Sequence, residues 1–156
     1  MDTAKQHEAA GAPQRKWVTD LLARATATEL KSVWEALEQK PDFSPLRGPE
    51  TGLVMVRGRI GGGGAAFNLG EATVSRATIR LSSGTVGHGH VLGTDRSRAR
   101  LAAIFDAMWQ ETEYRPLIEA RLLEPVATRI AAEERAKAEE TAATRVDFFT
   151  MVRGED

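Results

Sequence analysis

Between Gly52 and Leu92 the chain alternates residue by residue, and that period dictates extended structure. Leu53, Met55, Arg57 and Arg59 share one side of a first run, while Val54, Val56, Gly58 and Ile60 share the other. In a second run Thr73, Ser75, Ala77, Ile79 and Leu81 oppose Val74, Arg76, Thr78 and Arg80. A period of two puts successive side chains on opposite faces of a sheet. One face can therefore pack while the other carries arginines. A third run, Val86–Leu92, follows Ser83-Gly84, a pair suited to a tight hairpin. The connection around Gly61–Gly70 is too long for a two-residue turn. A small antiparallel sheet of about three or more strands results.

Helical spacing flanks the sheet. Trp17, Val18, Leu21, Leu22 and Ala25 predict one amphipathic helix, and Leu30, Val33, Trp34 and Leu37 a second. Thr26 and Glu29 have the spacing of a capping box, and Pro41 ends the second helix. This N-terminal hairpin has two tryptophans to bury. Pro45–Thr51 reads as a linker into the sheet. After it, Thr94 or Asp95 is placed to cap a helix bearing Leu101, Ile104, Phe105, Met108 and Trp109. Arg96, Arg98 and Arg100 oppose the dipole at that helix start, so they serve something else. Pro125 either kinks the next helical region or opens a new helix, and Leu122, Leu123, Val126 and Ile130 continue the apolar side. The fold class is α+β: the sheet, the N-terminal helical hairpin and C-terminal helices.

Three segments follow. Residues 1–14 are a disordered lead, 15–132 an α+β domain, and 133–156 a charged helix with an apolar docking terminus. Glu133–Thr144 has helix propensity without large apolar residues, and such a helix alone is marginal. Val146, Phe148, Phe149, Met151 and Val152 then crowd apolar surface at the end, which a monomer covers poorly. With 156 residues, 42% of them hydrophobic, the chain can bury a core. Its net charge of −1 supplies no global field for nucleic acid or an acidic membrane. Without cysteine it can hold no cysteine-ligated zinc or iron–sulfur cluster, and it fits a cytoplasmic setting. The start shows no apolar signal core, and no run approaches the ~20 apolar residues of a membrane span.

Chemistry is sparse. Gly61–Gly64, Gly61 and Gly62 foremost, could form a phosphate-binding nest or simply a flexible loop. Arg57, Arg59, Arg76 and Arg80 could converge on an anion or a partner in a suitable register, or cover a solvated face. His88 and His90 offer two metal ligands, but no nearby pattern completes a site. Ser75 lacks a nucleophile motif, and Glu71 and Asp95 can cap or pair as readily as move protons. No catalytic residues, cofactor site or metal site are assigned. The residues alone describe a subunit that completes itself against other chains, with a possible self-dimer when isolated.

Three blocks carry a family resemblance: Glu50–Gly62 (E-T-G-L-V-M-V-R-G-R-I-G-G), Phe67–Leu81 with Val91–Arg96 behind it, and Thr144–Glu155. Through them the chain resembles, nearly end to end, the PhnG family of the carbon–phosphorus lyase core complex. A fourth glycine at Gly64 and the H-G-H before Val91 depart from the pattern. The resemblance implies work beside PhnI, PhnH and PhnJ subunits, with PhnL needed for the reaction. That reaction displaces adenine from ATP by an alkylphosphonate, giving a ribose 1-phosphonate 5-triphosphate. It also implies that the nucleosidase chemistry belongs to PhnI and the iron–sulfur radical step to PhnJ. This chain is then an accessory subunit without a cofactor, and ATP is the substrate of the whole complex. The alternatives are direct triphosphate binding through the arginines and glycines, or a stand-alone regulatory binding module.

Overall fold

The computed structural model describes the backbone of residues 3–60 and 63–144, and the side chains of 13–60 and 63–144. The order is α1 (Thr3–Arg24), α2 (Ala27–Glu35), β1 (Phe43–Gly58), β2 (Phe67–Leu81), β3 (Val86–Leu92), α3 (Arg96–Gln110), α4 (Arg115–Ile118), a π turn (Glu119–Leu123) and α5 (Glu124–Ala143). The three strands form one antiparallel sheet in the order β1-β2-β3. The α+β class read from the sequence is thus the fold.

Alternation in β2 sets the faces as expected. Ser75, Ala77, Ile79 and Leu81 are buried, whereas Arg76 and Arg80 are exposed. The β2–β3 hairpin turns at Gly84, whose φ of 98° favours glycine, and Leu81 and Thr85 close it. The linker assignment for Pro45–Thr51 is corrected, since these residues lie inside β1. Pro45 and Pro49 disturb its pairing there, with register shifts between Pro45 and Arg47 and between Arg47 and Glu50. An edge strand tolerates this because the missing donors can face outward.

Helix α3 packs on β2 and β3 and also meets α1, α2 and α4. Its closest approach is to β3. A Cβ on Gly87 would meet the Ala103 carbonyl oxygen and, at 2.6 Å, the Ala107 nitrogen. One on Gly89 would meet the Ala99 carbonyl oxygen and, at 2.7 Å, the Ala103 nitrogen. Backbone lies on backbone. Phe105, Ile104 and Met108 fill the core between α3 and the helices, with Leu22, Leu30, Ile118, Leu122, Leu123 and Val126. Trp34 makes edge-to-face contacts with Phe105 and Phe43, each at 6.3 Å between centroids. Trp17, expected to be buried, is half exposed. Helix α1 starts at Thr3, ahead of the Arg15 marked by apolar spacing. Ala, Gln, Lys and Glu continue a helix without contributing to an apolar stripe.

The helix junctions are fastened by charge. Thr26 caps α2 and Glu29 returns the bond, so the capping box forms as read. Glu29 also takes a bidentate pair from Arg129 of α5 at 2.7 and 3.0 Å. Arg129 donates further to the Arg24 carbonyl, and Arg98 of α3 to the Ala23 carbonyl. These two arginines satisfy the last carbonyls of α1, whose acceptors point to cations. For Arg98, that is the purpose of a charge that opposes its own helix dipole. Asp95 caps α3 through the Arg98 N–H. Before Pro125 the helix opens to a π turn, with the Glu124 N–H reaching back to the Glu119 carbonyl. A proline cannot donate within a regular helix, and a local widening lets the chain continue past it.

Two predictions test this frame. Gly89→Ala should lose about 3 kcal/mol or more of unfolding free energy in urea, because a backbone contact must open. Gly52→Ala, whose Cβ meets nothing within 4 Å, should stay within about 0.5 kcal/mol. At Glu29, burial pushes the carboxyl up, but the bonds from Arg129 and Thr26 outweigh it and hold it below the usual range. That stability is present above the unfolded value, near 4.3, and is lost as pH falls through the lower folded value. Glu29→Gln should cost about 1–3 kcal/mol at neutral pH. The gap from the parent protein should close on acidification, as followed by denaturation at a series of pH values.

Candidate docking interface

The sheet narrows where β3 ends. The last β2–β3 pair is Val74 with Leu92, and beyond it only β1 and β2 remain, paired out to Gly58 and Phe67. This two-stranded arm is about 20 Å long at roughly 3.3 Å per residue. Directly paired residues share a face of an antiparallel sheet. Leu53 pairs with Thr73 and Met55 with Glu71, continuing the face on which Ser75 is buried. Val54 pairs with Ala72 and Val56 with Gly70 on the opposite face. Leu53 is 63% exposed, Met55 52%, Val54 44% and Val56 40%. Ile60, Phe67, Leu69 and, at the arm's base, Leu92 are exposed too. An isolated two-stranded hairpin is marginal in water, and one that is apolar on both faces lacks a core altogether. The arm has the form of an element made to be covered.

A directed hydrogen-bond chain holds its root. Arg96 Nε donates to Thr51 Oγ1 at 3.2 Å, and Thr51 lies 2.9 Å from Ser75 Oγ. Ser75 gives its only proton to the Gly93 carbonyl at 2.8 Å, so Thr51 donates to Ser75. The buried Ser75 is therefore a structural link between β1, β2 and the start of α3. Next to it, Glu50 accepts from Arg76 at 2.7 Å and pairs with Arg47 at 2.6 Å. The Arg76 hydrogen bond, aided by Arg47 and Arg76 charge, holds the Glu50 carboxyl below the usual range despite some desolvation.

The four arginines singled out in the sequence are not brought together. Arg57 is paired with Asn68 and stands on the Leu53 face; Arg76 and Arg80 stand on the other. Asn68 is eight residues from Arg76, about 26 Å along the strand. Arg59 follows the end of β1, exposed, and Arg80 is exposed opposite Ser44. Gly61 and Gly62 lie outside the described residues, as do Val146, Phe148, Phe149, Met151 and Val152. Glu71 sits on the arm, and Asp95 is spent as a helix cap.

His88 and His90 are exposed along β3, and His88 Nδ1 is 3.2 Å from Thr78 Oγ1. Among the described residues, no three His, Asp or Glu side chains gather as a metal site. The histidines border a groove of about 590 Å³ between α1 and the edge of β3. At its end Asp106, fully buried, accepts from Arg15 Nε at 3.2 Å, from Arg15 Nη2 at 2.8 Å and from the His88 backbone N–H at 2.8 Å. The hydrogen bond to Asp106 raises the Arg15 guanidinium against the opposing effect of burial. The Arg15 guanidinium and the His88 backbone N–H both bond Asp106, so this end of the groove is a joint between α1, α3 and β3. Sequence reasoning missed Asp106 because it lies within an apolar helix stripe. The available signal was a single acid among Ile104, Phe105, Ala107 and Met108.

A family model described as phosphonate metabolism protein PhnG matches residues 13–154. The alpha-D-ribose 1-methylphosphonate 5-triphosphate synthase subunit PhnG of Rhizobium meliloti (strain 1021) is 67% identical over 156 residues, which is 100% of this chain and 99% of that protein. Among the described residues, no helix is long and apolar enough to cross a membrane.

If the arm's apolar residues do not support the folded monomer, their loss is harmless to it. Leu53→Ser with Val54→Ser should leave urea stability of the isolated chain within about 0.5 kcal/mol per site. Ile79→Ala in the core should cost about 2–5 kcal/mol in the same assay.

Proposed function

The chain belongs to the PhnG family of phosphonate metabolism proteins, and on that premise we propose that it is the accessory subunit of a synthase making ribose 1-alkylphosphonate 5-triphosphates. In this reading ATP is the ribosyl triphosphate donor of the whole assembly, an alkylphosphonate displaces adenine, and the reacting groups lie on a PhnI-type subunit. PhnH and PhnJ complete the core, and PhnL joins for the reaction. The chain contributes shape: it docks and steadies its neighbours in the cytoplasm and carries no catalytic centre or cofactor of its own.

The observation that carries this reading is the arm. Residues Leu53–Val56 and Phe67–Leu69 expose apolar side chains on both faces of a hairpin that nothing else in the described chain covers. Each large side chain taken from water by a partner would contribute about 1.5–3 kcal/mol before the costs of association. Arg57 and Arg59 at the tip, with Gly61 and Gly62 beyond, extend the proposed contact surface. Val146, Phe148, Phe149, Met151 and Val152 are assigned to docking from their sequence alone. Direct triphosphate binding by Arg57, Arg59, Arg76 and Arg80 would need them in one cluster. With Arg57 on one face of the sheet and Arg76 salt-bridged to Glu50 on the other, that reading is not carried further.

Co-expression with the other subunits, followed by assay of adenine release from ATP and methylphosphonate, tests the proposal. The isolated chain should release none, and the assembly should. Leu53→Ser with Val54→Ser should lower complex yield and total activity together, about tenfold or more, leaving activity per assembled complex unchanged. Adenine release by the chain alone would overturn the assignment.

A further inference from the structure

The sheet has two outer edges, and they are treated differently. The β3 edge is engaged at its start, where α1 also lies alongside: the Val86 carbonyl accepts from Gln110 at 2.9 Å, and the His88 N–H is held by Asp106. The first half of β1 is guarded by Pro45, Pro49 and two register shifts. From Thr51 to Val56 none of these devices is present. Pairing with β2 is regular, there is no proline, and no described group bonds the outer backbone. Natural sheets protect edges because an open one templates another strand.

The outward groups can be named. Thr73 accepts from the Gly93 N–H on the β3 side, so its backbone faces β3 rather than β1. Its partner Leu53 is therefore a non-hydrogen-bonded pair with it, and the Leu53 N–H and carbonyl point away from β2. Two residues on, Met55 does the same. Gly52 and Val54 are turned inward, to Val74 and Ala72. The open edge thus presents a ladder centred on Leu53 and Met55, flanked by apolar side chains above and below.

We propose that a neighbouring synthase subunit adds an extended strand to β1 at Gly52–Val56, pairing with the Leu53 and Met55 backbone; this rests on the subunit role above. Faces decide the occupant. Two copies of this chain joined edge to edge would satisfy the ladder but leave Leu53, Met55, Val54 and Val56 exposed above and below it. A body with its own core can supply the strand and cover both faces at once. The incoming segment is free of proline and carries apolar side chains on both sides.

Amide hydrogen exchange on the isolated chain and on the complex co-purified with the other synthase subunits tests this. In the isolated chain the Leu53 and Met55 amides should exchange faster than those of Gly52 and Val54. In the complex they should slow by about 100-fold or more. Met55→Pro removes an outward donor without touching the β2 ladder, which an edge strand tolerates. It should weaken assembly about tenfold or more, whereas Met55→Val should not. Unchanged assembly by Met55→Pro overturns the strand addition. Protection across the arm that spares the Leu53 and Met55 amides means packing on the faces alone, and also overturns it, leaving the subunit role intact. An arm unprotected throughout the complex overturns arm docking itself, and this proposal with it. A homodimer of the isolated chain that protects these two amides as fully as the complex does would reassign the strand to a second copy and likewise overturn it.

Discussion

At Gly87 and Gly89 helix α3 touches β3 with no strand side chain between them, and bare strand backbone meets Ala99, Ala103 and Ala107. The contact fixes where the helix lies and therefore what it can cover. Fifteen helical residues span about 22 Å, and the seven residues of β3 about 23 Å, so helix and short strand are matched in reach. β1 and β2 have 16 and 15 residues, about twice that length. A helix locked onto β3 cannot also cover the far half of the β1–β2 hairpin. The arm follows from this seam: β3 stops at Leu92, the chain turns at Gly93 into α3, and the hairpin runs on without a lid.

Charged groups then hold elements in place. Asp106 has no exposure, and a carboxylate there would be costly alone. Arg15 and the His88 N–H satisfy it, and in doing so fix α1 beside β3 and occupy that edge at His88. Arg98 and Arg129 take the last carbonyls of α1, and Glu29 orients Arg129 while capping α2. Hydrophobic residues specify that these helices pack. The guanidinium forks specify at which turn, since a bidentate bond tolerates little sliding. Among the described residues, these buried and bidentate polar contacts serve to position helices and strands.

Much of this was legible from residue order. The two-residue period found β2 and its faces, Ser83-Gly84 found the second hairpin, and Thr26 and Glu29 found a capping box that forms as written. What escaped depends on pairing between distant segments. Alternation says which residues share a face, but the register decides whether Arg57 meets Arg76, and the register sets them far apart. Pro45 and Pro49 argued for a linker, yet an edge strand accommodates them through bulges. Gly87 and Gly89 carried no role in the reading of the third run, whereas two glycines at alternate positions, followed by a helix rich in alanine, mark a close helix–strand contact. The arm itself could not be seen, because exposure on both faces depends on where α3 stops.

A hairpin apolar on both sides should be frayed unless something orders it beforehand. Here the order is supplied from the root. Arg96, Thr51, Ser75 and Gly93 form one hydrogen-bond chain across β1, β2 and the helix start, and Glu50 with Arg47 and Arg76 clamps the outer face beside it. Both lie where the three-stranded sheet gives way to two, so they hold the strands in register before the apolar stretch begins. An element preset in this way gives up less conformational freedom on contact, leaving more of the buried area as net affinity. The same polar cluster separates arm from core: the apolar groups beyond it are exposed, while those on the other side of it, such as Ala77 and Ile79, are buried. On the proposed reading, folding and assembly are thereby written into different residues of the same two strands, the polar root serving the fold and the apolar arm beyond it serving contact.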